Sequence, residues 1–459
     1  MGLIEPTRTA QAVPSSFPAG SVVTPDRLDG PLADPLAGSL FGPLATGAHW
    51  GLARVFAALA DVGDPHLACT VIHVGGTNGK GSVASTLASV LVADGRRAAC
   101  YLSPHLCSIR ERMLVGGLPV TEEELLEAAR VVRGPVIRRG LTFFEAVTVL
   151  AFKVFERARA EVAVVEVGLG GRLDATNVVR PEITAITNIA LDHADYLGGT
   201  LESIAREKAG IVKEGAPLLT AEHRSRLLSL FRDTARNVGA PFHSVDPGSI
   251  SPVEVRREGT SFSMRTNSWG ELSLRTPLVG RHQATNAALA VSLLDRMSEP
   301  LRPSRESVLD GVAEVIYCGR NQLEEIDGLT WLFDGAHNTA GMTSLADTLG
   351  RLELPRPLVA LVGVLGDKDW RSMLPQILRL ADGAVLTQPP SASPERCWSI
   401  PEARDAVRGI TRIAVEEDFG RALEAASSLA GGGSVVVCGS IYTVGSALSA
   451  LGLEPLNAG

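Results

Sequence analysis

The chain has 459 residues, with 43 Lys and Arg against 51 Asp and Glu and a net charge of -8. An acidic chain of this length excludes a nucleic-acid binder held by a basic stripe and predicts two or three domains around large cores. No apolar run approaches the roughly 18 residues of a membrane span, and six Cys without a CxxC spacing point to a reducing, cytoplasmic setting.

Residues 1–45 are rich in Pro, Gly, Ala and Ser without periodicity, which predicts a flexible N-terminal arm. A central domain is expected over 46–317. Its first strand, 70–74, runs into Gly75-Gly76-Thr77-Asn78-Gly79-Lys80-Gly81-Ser82 and then a helix over 82–93. Small residues let backbone N–H groups close around phosphate oxygens, the helix N-terminus favours the anion, and Lys80 can reach the β/γ-phosphates. The hydroxyl comes one place later than in the standard phosphate loop, because Gly81 follows Lys80.

Strands over 162–167 and 183–189 are near-continuously apolar, as in a parallel sheet covered on both faces. Glu166 sits within the first of them, and Asp192 and His193 follow the second at the carboxyl edge, where ligands collect. Hydroxyl, carboxylate and imidazole groups there suit Mg2+ beside a nucleotide, although His193 taken alone reads better as a loop histidine capping a turn. A helix over 200–213, N-capped by Thr200, carries two of the chain's lysines. Lys208 shares a face with Ile204, so either its stem snorkels or its amine is chemically required. The chain's use of 38 Arg against five Lys favours the amine. Lys213 reads as a charge at the helix C-terminus, and Lys153 as part of an ordinary helix. Residues 253–278 alternate like a small appended antiparallel sheet with a turn at Asn267–Gly270.

After Pro300 and Pro303 and a helix from Ser304, a second domain is expected over 318–459. Strands over 330–333, 358–364, 383–386, 410–415 and 434–438 predict a smaller, doubly wound sheet. Trp331–Asn338 repeats the order of strand, acid, Gly turn and His at a helix start. Asp334 suits a ribose and Arg320 a phosphate. Lys368, between Asp367 and Asp369, reads as ion-paired to those neighbours. The cleft between two α/β domains is the default ligand site.

The motifs IHVGGTNGKGS, YLSPHL with RERM, LTFFEAVTVLAF, EVGLGGRLDATN, LDHADYLG, EKAGIVK, RHQATNAALA, DGAHN and GVLGDKD occur in that order. Together they closely resemble the dihydrofolate synthase/folylpolyglutamate synthase family of the Mur ligase superfamily. The resemblance implies an α/β fold: an N-terminal P-loop Mur-ligase-type ATPase domain with a small appended β-sheet, and a smaller Rossmann-like C-terminal domain. It implies ATP contacts from Thr77, Asn78, Gly79, Lys80, Gly81, Ser82, Asn286, Arg320, Asp334 and His337. Ser103, Glu166, His193 and Lys208 would hold Mg2+ at two sites, with Lys208 carbamylated. Lys80, Glu166, His193 and Lys208 would serve catalysis, and Thr142, Phe143, Phe144, Leu173, Asp174 and Ala175 would bind a pterin-bearing acceptor.

The implied reaction passes the γ-phosphoryl group of ATP to the carboxylate of dihydropteroate or a reduced folate. The amine of L-glutamate then displaces phosphate. A cytoplasmic monomer is expected, and the charge balance and the lack of a long apolar run predict no nucleic-acid or membrane partner. Three positions depart from the family pattern. Ala53 stands where Glu is usual, His49 near a position where some members carry an acid, and Asn321 where an apolar residue is common. They keep open an alternative in which the same chemistry acts on a different carboxylic acid. A nucleotide-binding regulator without ligase activity is disfavoured, because ATP binding alone does not call for Glu166, His193 and Lys208 together.

Overall fold

The structure, a computed structural model, describes residues 34–41, 44–45 and 51–455. The apolar runs assemble as expected. β1 (Thr70–Gly75), β2 (Ala98–Tyr101), β3 (Met113–Val115), β4 (Leu118–Pro119), β5 (Val162–Glu166), β6 (Ile183–Ile186), β7 (Leu218–Thr220) and β8 (Phe242–Ser244) form one sheet. Their spatial order is β4-β3-β2-β5-β1-β6-β7-β8. All neighbours from β2 to β8 run parallel, and β3 and β4 add an antiparallel edge. Every residue of β5 and β6 is buried, because helices cover both faces. Lys80–Ala93 and Arg281–Leu294 pack on one side, and Glu122–Arg138 and Phe143–Arg157 on the other.

β9 (Val253–Arg256), β10 (Gly259–Arg265) and β11 (Glu271–Thr276) make the expected antiparallel appendage. The smaller unit holds β12 (Gln322–Ile326), β13 (Leu329–Phe333), β14 (Leu358–Val362), β15 (Gly383–Leu386), β16 (Arg412–Val415) and β17 (Ser434–Cys438). Its order is β12-β13-β17-β14-β15-β16, parallel except for β12. β12 was not among the expected strands, because Gln-Leu-Glu-Glu-Ile is a polar edge without a clear period. The signal for it was the turn instead: Asp327 and Gly328 adopt φ of 50° and 77°, the Asp-Gly hairpin chemistry.

Of the expected flexible arm, residues 1–33 and 42–43 lie outside the described residues, and the part over 34–41 is ordered rather than loose. Pro35–Ser39 forms a short helix whose N-cap, Asp34, accepts from Leu36 N at 2.8 Å and from Ile109 N at 2.6 Å. Ala37, Leu40 and Phe41 are buried in the core beneath Glu122–Arg138 and Phe143–Arg157. The Pro, Gly and Ala content of this stretch hid three apolar contacts. His49 lies outside the described residues. The helix bearing Lys208 ends at Ala209, so Lys213 lies beyond it and donates to Asn177 O at 3.4 Å instead.

Residues 314–321 carry the chain from the first unit to the second along the cleft between them. Asn321 N donates to the Asp334 carboxylate at 2.9 Å, and Asn321 Nδ2 to Val279 O at 2.8 Å. Tyr317 abuts the phosphate loop so closely that a Cβ at Gly81 would lie 2.0 Å from its Oη.

Candidate active site

The carboxyl ends of β1, β5 and β6 face the second unit across one cleft. It is lined by Thr77–Ser82, Ser103, Glu166, His193, Lys208 and Asn286 from the first unit, and by Asp334 and His337 from the second. Arg320, on the connecting segment, completes the set. Every nucleotide and metal position expected from the sequence therefore meets in one place.

The loop geometry follows from its glycines. Gly79 has φ 83° and caps the helix Lys80–Ala93 without any side-chain hydrogen bond. The first N–H groups of a helix left in this way favour an anion. Asn286 closes on the loop, since a Cβ at Gly79 would lie 2.5 Å from its Oδ1. Thr77 N donates to Asn188 O at 2.8 Å and Asn78 N to Asn188 Oδ1 at 3.1 Å, tying the loop to the chain after β6. Lys80 Nζ donates to Thr77 O at 3.1 Å.

Below the loop lie an acid and an amine, both buried. Glu166 accepts from Ser103 N at 2.9 Å. Burial pushes its carboxyl above the ordinary range, against the pull of the Lys80 cation and the Ser103 N–H. Lys208 donates to Gly76 O at 2.8 Å. Its burial and the nearby Lys80 cation lower its ammonium to about 7, so a large share of the side chain is a neutral amine at physiological pH. His193 has φ 50° and precedes the short helix Ala194–Leu197. Burial, aided by the Lys368 cation, lowers its imidazole to about 3, which leaves it neutral.

Asp192 is the junction that the sequence did not disclose. Lys368, expected to pair with Asp367 and Asp369, instead places Nζ 2.8 Å from Asp192 Oδ1 across the cleft. Asp369 is occupied as the N-cap of Trp370–Leu378. Asn338 Nδ2 donates to Asp192 Oδ2 at 2.9 Å and to Asn78 Oδ1 at 2.9 Å, and His337 Nε2 lies 3.5 Å from Asp192 Oδ2. Burial would raise the Asp192 carboxyl, but the His337 hydrogen bond and the Lys368 cation hold it well below the usual carboxylate range. Asn338, not His337, caps the helix Thr339–Leu349. The Asp334 carboxylate accepts from Ala336 N and Asn321 N, each at 2.9 Å. It thereby shapes the Gly335 turn and holds the connecting segment.

The six expected acceptor positions do not line this cleft. Thr142 caps Phe143–Arg157 reciprocally with Glu145, and Glu145 pairs with Arg54 at 3.0 Å. The Arg112 guanidinium sits 5.7 Å over the Phe143 ring, and the Phe144 ring lies 6.2 Å from that of Tyr101. Asp174 accepts from Leu169 N at 2.8 Å and from Thr176 N at 2.9 Å. Leu173 and Ala175 flank it in the chain. Leu169 does line the cleft, so Asp174 joins the two groups through the backbone.

Among the described residues no three His, Cys, Asp or Glu side chains cluster as a metal site. A cation here would need oxygens from the nucleotide, as Mg2+ commonly takes them. No helix among the described residues is long and apolar enough to cross a membrane.

Residues 74–294 match the Mur ligase middle domain, and residues 319–441 the Mur ligase, glutamate ligase domain. The chain is 34% identical to the dihydrofolate synthase/folylpolyglutamate synthase of Bacillus subtilis over 74% of its own length and 82% of that protein's. It is 34% identical to the enzyme of the same name from Escherichia coli, covering 86% and 89%. Among solved structures, folylpolyglutamate synthase of Mycobacterium tuberculosis complexed with ADP superposes with a TM-score of 0.80 at 30% identity, covering 87% of this chain and 94% of that one. E. coli FolC in complex with DHPP and ADP gives 0.78 at 30%, covering 92% and 98%.

Proposed function

The chain belongs to the dihydrofolate synthase/folylpolyglutamate synthase family of the Mur ligase superfamily and is an ATP-dependent acid–amino-acid ligase; from that premise we propose how its own residues do the work. The carboxylate of dihydropteroate or a reduced folate takes the γ-phosphoryl group of ATP and becomes an acyl phosphate. The neutral amine of L-glutamate attacks that carbonyl carbon, and the tetrahedral intermediate collapses by expelling phosphate. The observation that carries this reading is the single cleft, where Thr77–Ser82, Glu166, His193 and Lys208 meet Asp334 and His337.

In this reading Lys80 offsets the charge that builds between two anions, the γ-phosphate and the attacking carboxylate. The loop N–H groups and Asn286 hold the nucleotide from one side, and Arg320, Asp334 and His337 from the other. Glu166, buried with its carboxyl raised, would hold one Mg2+ with Ser103. His193 fits a second Mg2+ as a neutral imidazole, together with Glu166 and Lys208. Bound Mg2+ would supply charge neutralisation along the phosphates. The low ammonium pKa of Lys208 supports carbamylation: a neutral amine adds CO2, releases a proton and becomes an oxygen-bearing anion. Thr142–Phe144 and Leu173–Ala175 would hold the acceptor, with Asp174 relaying its position to the cleft through Leu169.

The chain's six cysteines are all free, which supports a reducing cytoplasm. The test is ligation with ATP, Mg2+ and L-glutamate across an acceptor panel that includes dihydropteroate and tetrahydrofolate, read as product mass. A product one glutamate heavier is expected; none from either acceptor removes the proposal. The alternative of a different acid gains from Ala53 and from the Arg54–Glu145 pair that holds the Thr142 cap, and the same panel separates the two.

A further inference from the structure

His73 is a polar side chain at the centre of the larger sheet that the reading above does not use. It lies on β1 between Val165 of β5 and Thr184 of β6 and is fully buried. A strand covered on both faces ordinarily places an apolar residue there. Its Nε2 lies 2.9 Å from Thr176 Oγ1, and among the described residues its Nδ1 has no hydrogen-bond partner. Burial, with the Lys213 cation nearby, lowers its imidazole to about 3, so the ring is neutral. A buried ring with one nitrogen unmet costs stability relative to a hydrocarbon of similar shape. Packing alone does not account for it.

The contact at Nε2 leads on to Asp174. Thr176 is fully buried in the turn Ala175–Val178. Its hydroxyl donates to Asp174 Oδ1, as does its backbone N at 2.9 Å. Oδ2 of the same carboxylate accepts from Leu169 N at 2.8 Å. The Thr176 hydroxyl has one proton and spends it on Asp174, so the bond from His73 requires a proton on Nε2. The chain runs from His73 to Thr176 to Asp174 with each donor facing an acceptor, and such chains strengthen their own bonds by polarisation. β1 ends at Gly75, at the entry to the phosphate loop. One strand thus carries the loop at its tip and the hold on Asp174 just before it.

We propose that His73 is a positioning residue for the acceptor: its Nε2–H, through the Thr176 hydroxyl, fixes the Asp174 carboxylate in register with the phosphate loop. This rests on the reading given above, in which Asp174 binds the acceptor. The acceptor's carboxylate must meet the γ-phosphate at close range, and a small misplacement is costly. Leu169 N and Thr176 N belong to the same connection between β5 and β6 as Asp174 and can shift with it. His73 belongs to the central strand and does not.

The test is steady-state kinetics on the full-length enzyme carrying His73→Met, His73→Gln, Thr176→Val, or His73→Met with Thr176→Val, with dihydropteroate or tetrahydrofolate varied. Gln brings an amide N–H near the place of Nε2, and Met brings none. The acceptor KM should rise about tenfold in His73→Met and in Thr176→Val, no further in the double variant, and less than about threefold in His73→Gln. The KM for ATP should stay within about twofold. The melting temperature of the double variant should match or exceed wild type, which a merely structural role would not give. If His73→Met does not bind ADP by calorimetry, Thr176→Val and His73→Gln carry the test. An unchanged acceptor KM in His73→Met and Thr176→Val, His73→Gln as impaired as His73→Met, or ATP and acceptor KM rising together overturns this proposal alone. An acceptor KM unmoved by Asp174→Ala overturns the placement of the acceptor at Asp174, and this proposal with it.

Discussion

Replacing Asp192 by Asn asks how strongly the two units are clasped. The perturbation keeps the shape and one acceptor oxygen but removes the charge facing Lys368, 2.8 Å away. Both side chains are under a tenth exposed, so water screens the pair weakly. At an effective dielectric near 20 the gross attraction at that distance is about 6 kcal/mol. Most of it offsets desolvation, but removing one partner of a buried pair strands the other and typically costs about 3–5 kcal/mol. The two ends are not equivalent. Without Asp192, Lys368 loses the only carboxylate within salt-bridge distance among the described residues, whereas without Lys368, Asp192 keeps Asn338 and lies beside His337.

Asp192→Asn should therefore cost about 3 kcal/mol, Lys368→Met about half that, and the double variant no more than Asp192→Asn alone. Urea unfolding followed by tryptophan fluorescence reads this directly, since Trp331, Trp370 and Trp398 are all buried in the second unit. Small-angle scattering of the nucleotide-free protein should show Asp192→Asn more extended than wild type. Strictly additive losses in the double variant, or singles under about 0.5 kcal/mol, would refute the clasp.

Three further outcomes follow from other parts of the molecule. Lys208→Arg should lower kcat by about a thousandfold with the melting temperature kept, because a guanidinium does not form the carbamate, while Lys153→Arg should change kcat by no more than about twofold; equal activity in the two variants removes the carbamate argument. Gly81→Ala should weaken ATP binding about tenfold by driving a methyl group against Tyr317 Oη, and adding Tyr317→Ala should recover most of the loss. Isothermal titration decides it, and failure of the second substitution to rescue points away from that contact. Phe41→Ala should destabilise by about 3–5 kcal/mol, as a fully buried aromatic ring does; a loss below about 1 kcal/mol in urea would mean that Pro35–Phe41 contributes no core packing.

What the sequence disclosed was whatever rests on local chemistry. The phosphate loop, the buried strands around Glu166 and the appended sheet all follow from patterns within a dozen residues, and each stands where expected. Lys208 was legible too, because its type is rare in this chain and its helical face is apolar. The misreadings concern partners distant in sequence. Lys368 was matched to its neighbours Asp367 and Asp369, since nothing local shows that β6 delivers Asp192 to the same point. Phe41 was hidden for the same reason: its burial depends on helices more than 80 residues away, and composition averages over it.

The passage from one unit to the other has a consequence for how this protein can be rebuilt. An ordinary tether between two domains lengthens at little entropic cost, because loop closure depends only weakly on length. Residues 317–321 are not such a tether. Tyr317 touches the loop at Gly81, Arg320 lines the cleft, and Asn321 holds both Asp334 and Val279. The joint on which the halves would turn is thus made of side chains that themselves wall the cleft. Splitting the gene there, or inserting a flexible spacer, would cut into the wall of that cleft.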